Sequence, residues 1–188
     1  MDPLIMGVIT LVVVVAAYFI LSRKRSSGGA PSTGSWNSFS SPDGVFSLNY
    51  PSEWLTRERI SGPMSPGSAF VALNPSGTIM LEAFLLKTNT LKFYAGMWEE
   101  DQRGVHPDTR VLSTEAVPLG GGREGLRLTL TYTEGTIAGT TQPFTTDYFL
   151  LDAGSQVLSL NFKVLSSQYD GMRGMFEAVA RSVRPGRG

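Results

Sequence analysis

An uncharged apolar run near the start of the chain restricts its possible architectures more than any other feature. Leu4 to Leu21 is 18 consecutive residues without a charge, most of them valine, isoleucine or leucine. At ~1.5 Å per residue, a helix of this length spans roughly 27 Å, close to the hydrocarbon thickness of a bilayer. Because a helix satisfies its own backbone hydrogen bonds, it can cross lipid alone. We therefore predict one transmembrane helix, in contact with the lipid bilayer through residues 4–21.

The charges on either side of this run separate a retained anchor from a cleaved secretory signal. A signal peptide carries positive charge ahead of its apolar core. Here Asp2 precedes the run, and Arg23, Lys24 and Arg25 follow it. We therefore favour a retained anchor over residues 1–25, with a cleaved signal as the alternative. Since lysine and arginine stay on the cytoplasmic side, we predict a single-pass protein of the inner (cytoplasmic) membrane, with its N-terminus outside and its C-terminal domain cytoplasmic.

Residues 26–41 are dominated by serine and glycine and carry no charge. This composition is typical of a flexible linker, with an end-to-end distance on the order of 22 Å for 16 residues. Trp36 and Phe39 do not fit a pure linker. We expect them to pack onto the following domain; contact with lipid or a partner is the alternative.

Length and composition exclude several classes of protein. The 188 residues allow one domain plus an anchor. From residue 26 onward there are 13 lysines and arginines against 15 acidic residues, so no basic surface is predicted and nucleic acid is not an expected partner. The chain has no cysteine, which excludes disulfides, thiolate metal sites and cysteine nucleophiles.

Residues 42–185 alternate short β-like runs with turns, and helical periodicity interrupts them twice. The apolar residues between 90 and 103 and between 167 and 183 recur with the spacing of an amphipathic helix. Strands joined by short turns form antiparallel sheets, so we predict an α+β domain with helices packed against an antiparallel β-sheet. The predicted strands cover residues 45–50, 54–60, 69–73, 78–87, 110–119, 123–133, 142–151 and 156–165.

Two of these segments carry more specific expectations. In the strand 123–133, leucines and Tyr132 alternate with Arg127 and threonines, which predicts one core face and one face that is wet or covered by a partner. Near the end of the first helix, Glu99, Glu100 and Asp101 are expected to form a solvated face, with a partner-binding acidic patch as the alternative.

Two features of the sequence are candidate chemical motifs. His106 is the only histidine and hence the only candidate catalytic base of a hydrolytic triad; we expect an exposed turn residue instead. The glycine-rich segment 120–125 lies between two predicted strands, whereas a phosphate-binding loop leads from a strand into a helix. We expect a wide hairpin turn there. No catalytic, cofactor-binding or metal-binding residue is predicted.

The segment Gly44-Val45-Phe46-Ser47-Leu48-Asn49-Tyr50-Pro51-Ser52-Glu53-Trp54 resembles the opening of PsbP-like and DcrB-like domains. A glycine turn, an aromatic-rich strand, a proline and a tryptophan occur there in this order. The strand from Gly125 to Tyr132 and the final helix with Phe176 and Val183 are similar to that family too. The resemblance covers about residues 39–184. It implies an α-β-α sandwich and a non-enzymatic role, although photosystem members work on the extracytoplasmic side of the membrane.

Three functions agree with these features to different degrees. We favour a non-enzymatic accessory subunit that stabilises or helps assemble an integral membrane protein complex, with a photosynthetic complex as one host that the resemblance implies. The alternative is a membrane-tethered module for a small ligand or lipid, which needs an apolar cavity between sheet and helices. The third, a hydrolase, needs His106 beside a serine or carboxylate in a cleft.

Overall fold

The computed structural model describes residues 35–41, 44–59, 69–74, 77–84, 89–135, 139–154 and 156–186. Two helices are described, α1 (Leu91–Val105) and α2 (Tyr169–Ser182). The strands are β1 (Trp36–Ser40), β2 (Phe46–Pro51), β3 (Leu55–Arg59), β4 (Ala69–Asn74), β5 (Gly77–Phe84), β6 (Arg110–Leu119), β7 (Arg123–Gly135), β8 (Thr141–Asp152), β9 (Val157–Leu165) and β10 (Arg184–Pro185).

Seven of the strands form one antiparallel sheet in the order β3-β4-β5-β9-β8-β7-β6. Five of the six neighbouring strand pairs are also consecutive in the sequence, as in β-hairpins. The exception is the pair β5–β9. After β5 the chain crosses to β6 at the edge of the sheet, and this connection contains α1. A second, smaller sheet has the order β1-β2-β10. The predicted α+β class with an antiparallel sheet is confirmed.

Helix α1 lies on one face of the large sheet, against β7 and β8. It begins after Thr90, whose side chain accepts a hydrogen bond of 3.2 Å from the amide of Phe93 and so caps the first turn. Tyr94 and Ala95 are buried, and the Trp98 ring stacks on the ring of Tyr148 at 5.1 Å. The predicted amphipathic helix and its apolar stripe are confirmed.

Helix α2 and the small sheet cover the opposite face. Phe176 of α2 stacks on Phe162 of β9 with 4.5 Å between ring centroids, and Phe46 and Leu48 of β2 join the same core. A 3₁₀ turn, Ser166–Gln168, precedes the helix. The helix–sheet–helix layering agrees with the α-β-α sandwich that the family resemblance implies. All four residues of the predicted stripe are buried, namely Met172, Phe176, Val179 and Val183.

The folded part of the chain extends into the predicted linker. β1 pairs with β2 in the register Trp36↔Pro51 to Ser40↔Ser47, so ordered structure begins before the boundary expected at residue 42. Phe39 packs against the core as expected, whereas Trp36 remains 46% exposed. At the other end, Pro185 follows α2 and pairs with Phe46 in β10.

Among the described residues, no helix combines the length and the apolar character that crossing a bilayer requires. The predicted span, residues 4–21, and the basic cluster after it lie outside the described residues. The predicted anchor, its orientation and the cytoplasmic placement of the domain therefore stay predictions.

Candidate functional site

A buried ion pair joins the neighbouring strands β7 and β8 on the α2 side of the large sheet. Arg127 of β7 and Asp147 of β8 are 2% and 0% exposed. The guanidinium donates from Nε to Oδ1 at 3.1 Å and from Nη2 to Oδ2 at 2.7 Å, a bidentate geometry that fits two planar groups. Thr129 donates to the same carboxylate at 2.6 Å. Each buried charge is thus paired and hydrogen-bonded, as burial of charge requires.

Two side chains of α2 complete this network. The Tyr169 hydroxyl lies 3.0 and 3.1 Å from the two carboxylate oxygens of Asp147 and also contacts Nη2 of Arg127. Glu177 accepts a hydrogen bond of 3.1 Å from Nη1 of Arg127. The guanidinium also lies over the Phe149 ring, 5.3 Å from its centroid. The network therefore ties α2 to β7 and β8 as well as pairing its own charges.

The electrostatics of the network follow from burial and from Asp147. Burial alone would lower the pKa of the Arg127 guanidinium, but the hydrogen bond and negative charge of Asp147 outweigh it and raise that pKa. Burial, helped by the charge of Asp147, raises the pKa of the Tyr169 hydroxyl. Arg127 therefore stays charged and Tyr169 stays a neutral donor across the physiological pH range.

This arrangement corrects the prediction for strand 123–133. Its Arg127 face was expected to be wet or covered by a partner, yet Arg127 and Thr129 are buried within the domain. The opposite face is buried too, where Leu128 and Leu130 meet α1. The alternation of leucine with polar residues was real, but the polar face meets an aspartate and a helix instead of solvent.

A shallow surface groove of about 180 Å³ opens beside the network, between α2 and β6. Arg127 and Phe149 form part of its floor, and Glu115 lies on the β6 side. On the α2 side, the Glu177 carboxylate accepts hydrogen bonds from Arg127, from Arg173 at 3.2 Å and from Arg181 at 3.5 Å. Arg173 and Arg181 are half or more exposed, so the groove exposes charges of both signs.

The apolar core beneath α2 contains little free space. Within the described residues, a void of about 10 Å³ lies between Leu119, Phe149, Leu160 and Val183. This is about the volume that one water molecule needs. A small molecule or lipid could enter there only if the core side chains moved apart.

His106 belongs to a second polar cluster, at the C-terminal end of α1. Its ring stacks on Tyr132 at 4.3 Å, and the Lys163 ammonium, which forms an ion pair with Glu134, lies over the rings of Phe144 and Tyr132 at 4.6 and 5.7 Å. His106 was expected to be an exposed turn residue. It does lie in the turn after α1, but the stacking leaves it only partly exposed.

Because His106 is partly buried in this cluster, its protonation makes the stability of the fold depend on pH. Burial lowers the pKa of His106 below its usual value of 6.5, against the opposing charges of Glu134 and Asp108. The unfolded chain then binds a proton more readily than the folded one, so this contribution to stability is present above pH 6.5 and is lost as the pH falls through the folded pKa.

We expect the free energy of unfolding to decrease as the pH is lowered from 7 to 5, with a component that His106→Asn removes. Urea titrations of the full chain at several pH values measure it. Because the chain has one histidine, its imidazole NMR signal reports the folded pKa directly. A midpoint at or above 6.5 would contradict the expected direction.

The other segments considered as candidate sites are a turn and a helix surface. Gly120–Gly122 form the turn between β6 and β7, so the predicted hairpin is confirmed. The turn is tight and not wide as expected, because Leu119 and Arg123 already pair across it. Glu99 pairs with Arg103 at 2.9 Å, while Glu100 and Asp101 are exposed on α1. Within the ranges described above, no group of three or more histidine and acidic side chains is placed to hold a metal ion.

Solved structures share this fold. Cyanobacterial PsbP (CyanoP) from Synechocystis sp. PCC 6803 superimposes with a TM-score of 0.59 at 12% identity, covering 85% of this chain and 98% of that one. The Ran-binding protein Mog1p of Saccharomyces cerevisiae superimposes with a TM-score of 0.57 at 10% identity, covering 81% of this chain and 96% of that one. A Bacteroides thetaiotaomicron protein superimposes with a TM-score of 0.51 at 21% identity over 80% of this chain. This chain covers about half (48%) of the length of that protein.

These similarities concern the fold. No protein-family model matches the chain, and no curated protein matches its sequence. At 10–21% identity, structural similarity shows that the chain has the PsbP-like fold, as its resemblance in sequence implied. Function on a shared fold depends on the site that each chain builds.

Proposed function

We propose that this chain is a non-catalytic accessory subunit that is anchored in the cytoplasmic membrane and binds an integral membrane protein complex, stabilising it or aiding its assembly. The observation that carries the proposal is the short distance along the chain between the apolar run and the folded domain. The run ends at Leu21 and β1 begins at Trp36. A tether of this length holds the domain within about 20 Å of the bilayer surface, so membrane proteins are its nearest partners.

The polar groups of the domain support a binding role. The strongest cluster of charges, Arg127 with Asp147, is satisfied by its own neighbours, and such closed networks stabilise a fold. Mog1p, which has the same fold, is named a Ran-binding protein, so the fold serves protein recognition in that case. CyanoP is a cyanobacterial PsbP, and a photosynthetic host complex is accordingly one candidate for this chain.

Membrane extraction tests the proposal directly. We expect the full chain to stay in the membrane fraction, to retain residues 1–25, and to co-purify in a mild detergent with an integral membrane protein at constant stoichiometry. In the control, Val13→Arg/Val14→Arg, each charge costs about 3 kcal/mol at the centre of the span, so this variant should be found in the soluble fraction. A wild-type chain that is trimmed and soluble, or that always migrates alone in detergent, would contradict the proposal.

The groove beside Arg127 favours a second candidate, a tethered small-ligand module. Its exposed arginines and Glu115 offer polar contacts that the packed core does not. Titration of the detergent-solubilised chain with glycerophosphoethanolamine, followed by NMR of the arginine Nε–H groups, tests it. Shifts confined to Arg173 and Arg181 that are lost in Arg173→Ala/Arg181→Ala would support this candidate, and unchanged spectra at millimolar ligand would remove it.

A further inference from the structure

Helix α1 has a second apolar surface, on the side away from the sheet. Phe93 and Met97 are one helical turn apart, so their side chains are neighbours. Each is 49% exposed, although large apolar side chains are usually buried. The inner face of the helix is occupied by Tyr94, Ala95 and Trp98. The Phe93 ring meets the ring of Tyr94 edge-on at 5.8 Å, but about half of the Phe93 and Met97 side chains stays uncovered by the domain.

The glycines of α1 indicate that the outer face is not optimised for the isolated domain. Glycine weakens a helix interior relative to alanine, yet α1 contains Gly96 and Gly104. A Cβ added at either position would meet no atom within 4 Å. No close approach inside the domain therefore requires a glycine at these two sites, whereas a partner lying on this side of the helix would come close to the backbone there.

The charges next to the apolar pair indicate what kind of partner fits. Glu100 and Asp101 follow Met97 and are exposed, and within the described part of the chain neither takes part in an ion pair. The nearest basic residue on the following turn, Arg103, is paired with Glu99, and Lys92 lies on another flank of the helix. The surface is therefore apolar with an acidic margin, and its complement is apolar and basic.

With the domain on the cytoplasmic side, as the basic cluster after the apolar run predicts, the charges found near a membrane favour one kind of partner for this surface. Cytoplasmic segments next to transmembrane helices are enriched in lysine and arginine, which complements Glu100 and Asp101. The cytoplasmic lipid surface is negatively charged and would repel these two carboxylates. A second copy of the same face would place like charges together.

We infer that Phe93, Met97, Glu100 and Asp101, here named the outer face of α1, form the docking surface for a lysine- and arginine-containing juxtamembrane segment of the partner membrane protein. The inference rests on the proposed function and specifies the surface that carries it. Phe93 and Met97 supply the apolar contact, since aromatic and methionine side chains are enriched in the centres of interfaces. The two carboxylates select basic partners and increase the rate of association.

Photocrosslinking in native membranes tests which molecule touches this surface. A benzoylphenylalanine replaces Met97 in the full chain, and a control chain carries it at Leu112, which is 58% exposed on β6. We expect a crosslink from position 97, and not from 112, to a peptide of an integral membrane protein that contains lysine or arginine beside a transmembrane segment. Crosslinks from 97 only to lipid, only to a second copy, or to nothing would overturn the inference.

Substitutions give an independent measurement. Phe93→Ser/Met97→Ser and Glu100→Lys/Asp101→Lys should each reduce the co-purified partner about tenfold, as expected when central contacts of an interface are removed. The matched control Glu124→Lys, an exposed charge reversal in the β6–β7 hairpin, should leave it unchanged. Equal co-purification of all three variants with the wild-type chain would overturn the docking surface and leave the proposed function standing. A wild-type chain that purifies alone would instead contradict the proposed function.

Discussion

Replacing Asp147 by alanine is expected to lower the free energy of unfolding by about 3–5 kcal/mol, the usual cost of leaving a buried charge without its partner. The substitution removes both acceptors of the bidentate bond from Arg127, which is 2% exposed and keeps Glu177 as an acidic partner. Thr129 and Tyr169 also lose the carboxylate to which they are hydrogen-bonded. Urea unfolding of the full chain, followed by near-UV circular dichroism, measures the loss.

Two controls separate the buried charge from charge in general. Arg173→Ala removes a half-exposed arginine that pairs with Glu177 in the same network, and it should cost about 0–1 kcal/mol, as exposed ion pairs do. The double variant Arg127→Met/Asp147→Leu replaces both charges by apolar groups and should be clearly more stable than Asp147→Ala. An Asp147→Ala chain that loses less than about 1 kcal/mol, the cost of an exposed pair, would contradict the expected effect of leaving Arg127 without Asp147.

Gly120→Ala should be the most damaging single-methyl substitution in the β6–β7 hairpin. A Cβ at this position would lie 1.4 Å from the carbonyl oxygen of Val183, far inside van der Waals contact. The obstacle is backbone immediately after α2, so the helix end or the hairpin must move. We expect a loss of about 3 kcal/mol, the upper end of the range for overpacked sites, measured by chemical denaturation.

A second glycine provides the matched control. Gly174 lies inside α2, and a Cβ there would meet nothing within 4 Å. Gly174→Ala should therefore raise the free energy of unfolding by about 0.5–1 kcal/mol, because alanine favours the helix and restricts the unfolded chain. If both substitutions changed stability equally, the close contact between Gly120 and Val183 would not be the cause.

Periodicity in the sequence was enough to locate most of the regular structure described. The spacing of Leu91, Tyr94, Ala95 and Trp98 has the period of a helix, and α1 follows it from Leu91 to Val105. The strands β6 to β9 lie where alternating or continuous apolar runs predicted them. These features depend on residues close together in the chain, whose preferences need no knowledge of the rest of the fold.

The candidate site was largely missed, and the reason is topological. Arg127 was assigned to a wet or partner-covered face because it alternates with leucines. Asp147 directly precedes the apolar segment 148–151 of a predicted strand, and a carboxylate at that place was the sequence signal that could have indicated a buried pair. Whether the two residues meet depends on the register of β7 on β8, which places Arg127 opposite Phe149 and Thr129 opposite Asp147.

The sequence by itself determined the apolar run, the basic cluster after it, the positions of the two described helices and of eight of the ten described strands, and the α+β class, because each follows from local composition and spacing. Only the tertiary structure decided that β1 and β10 join β2, that α2 closes over Arg127 and Asp147, and that Phe93 and Met97 stay outside. Each of these outcomes depends on which segments lie side by side after folding. Residues 20 apart, such as Arg127 and Asp147, become partners only when the sheet brings them together.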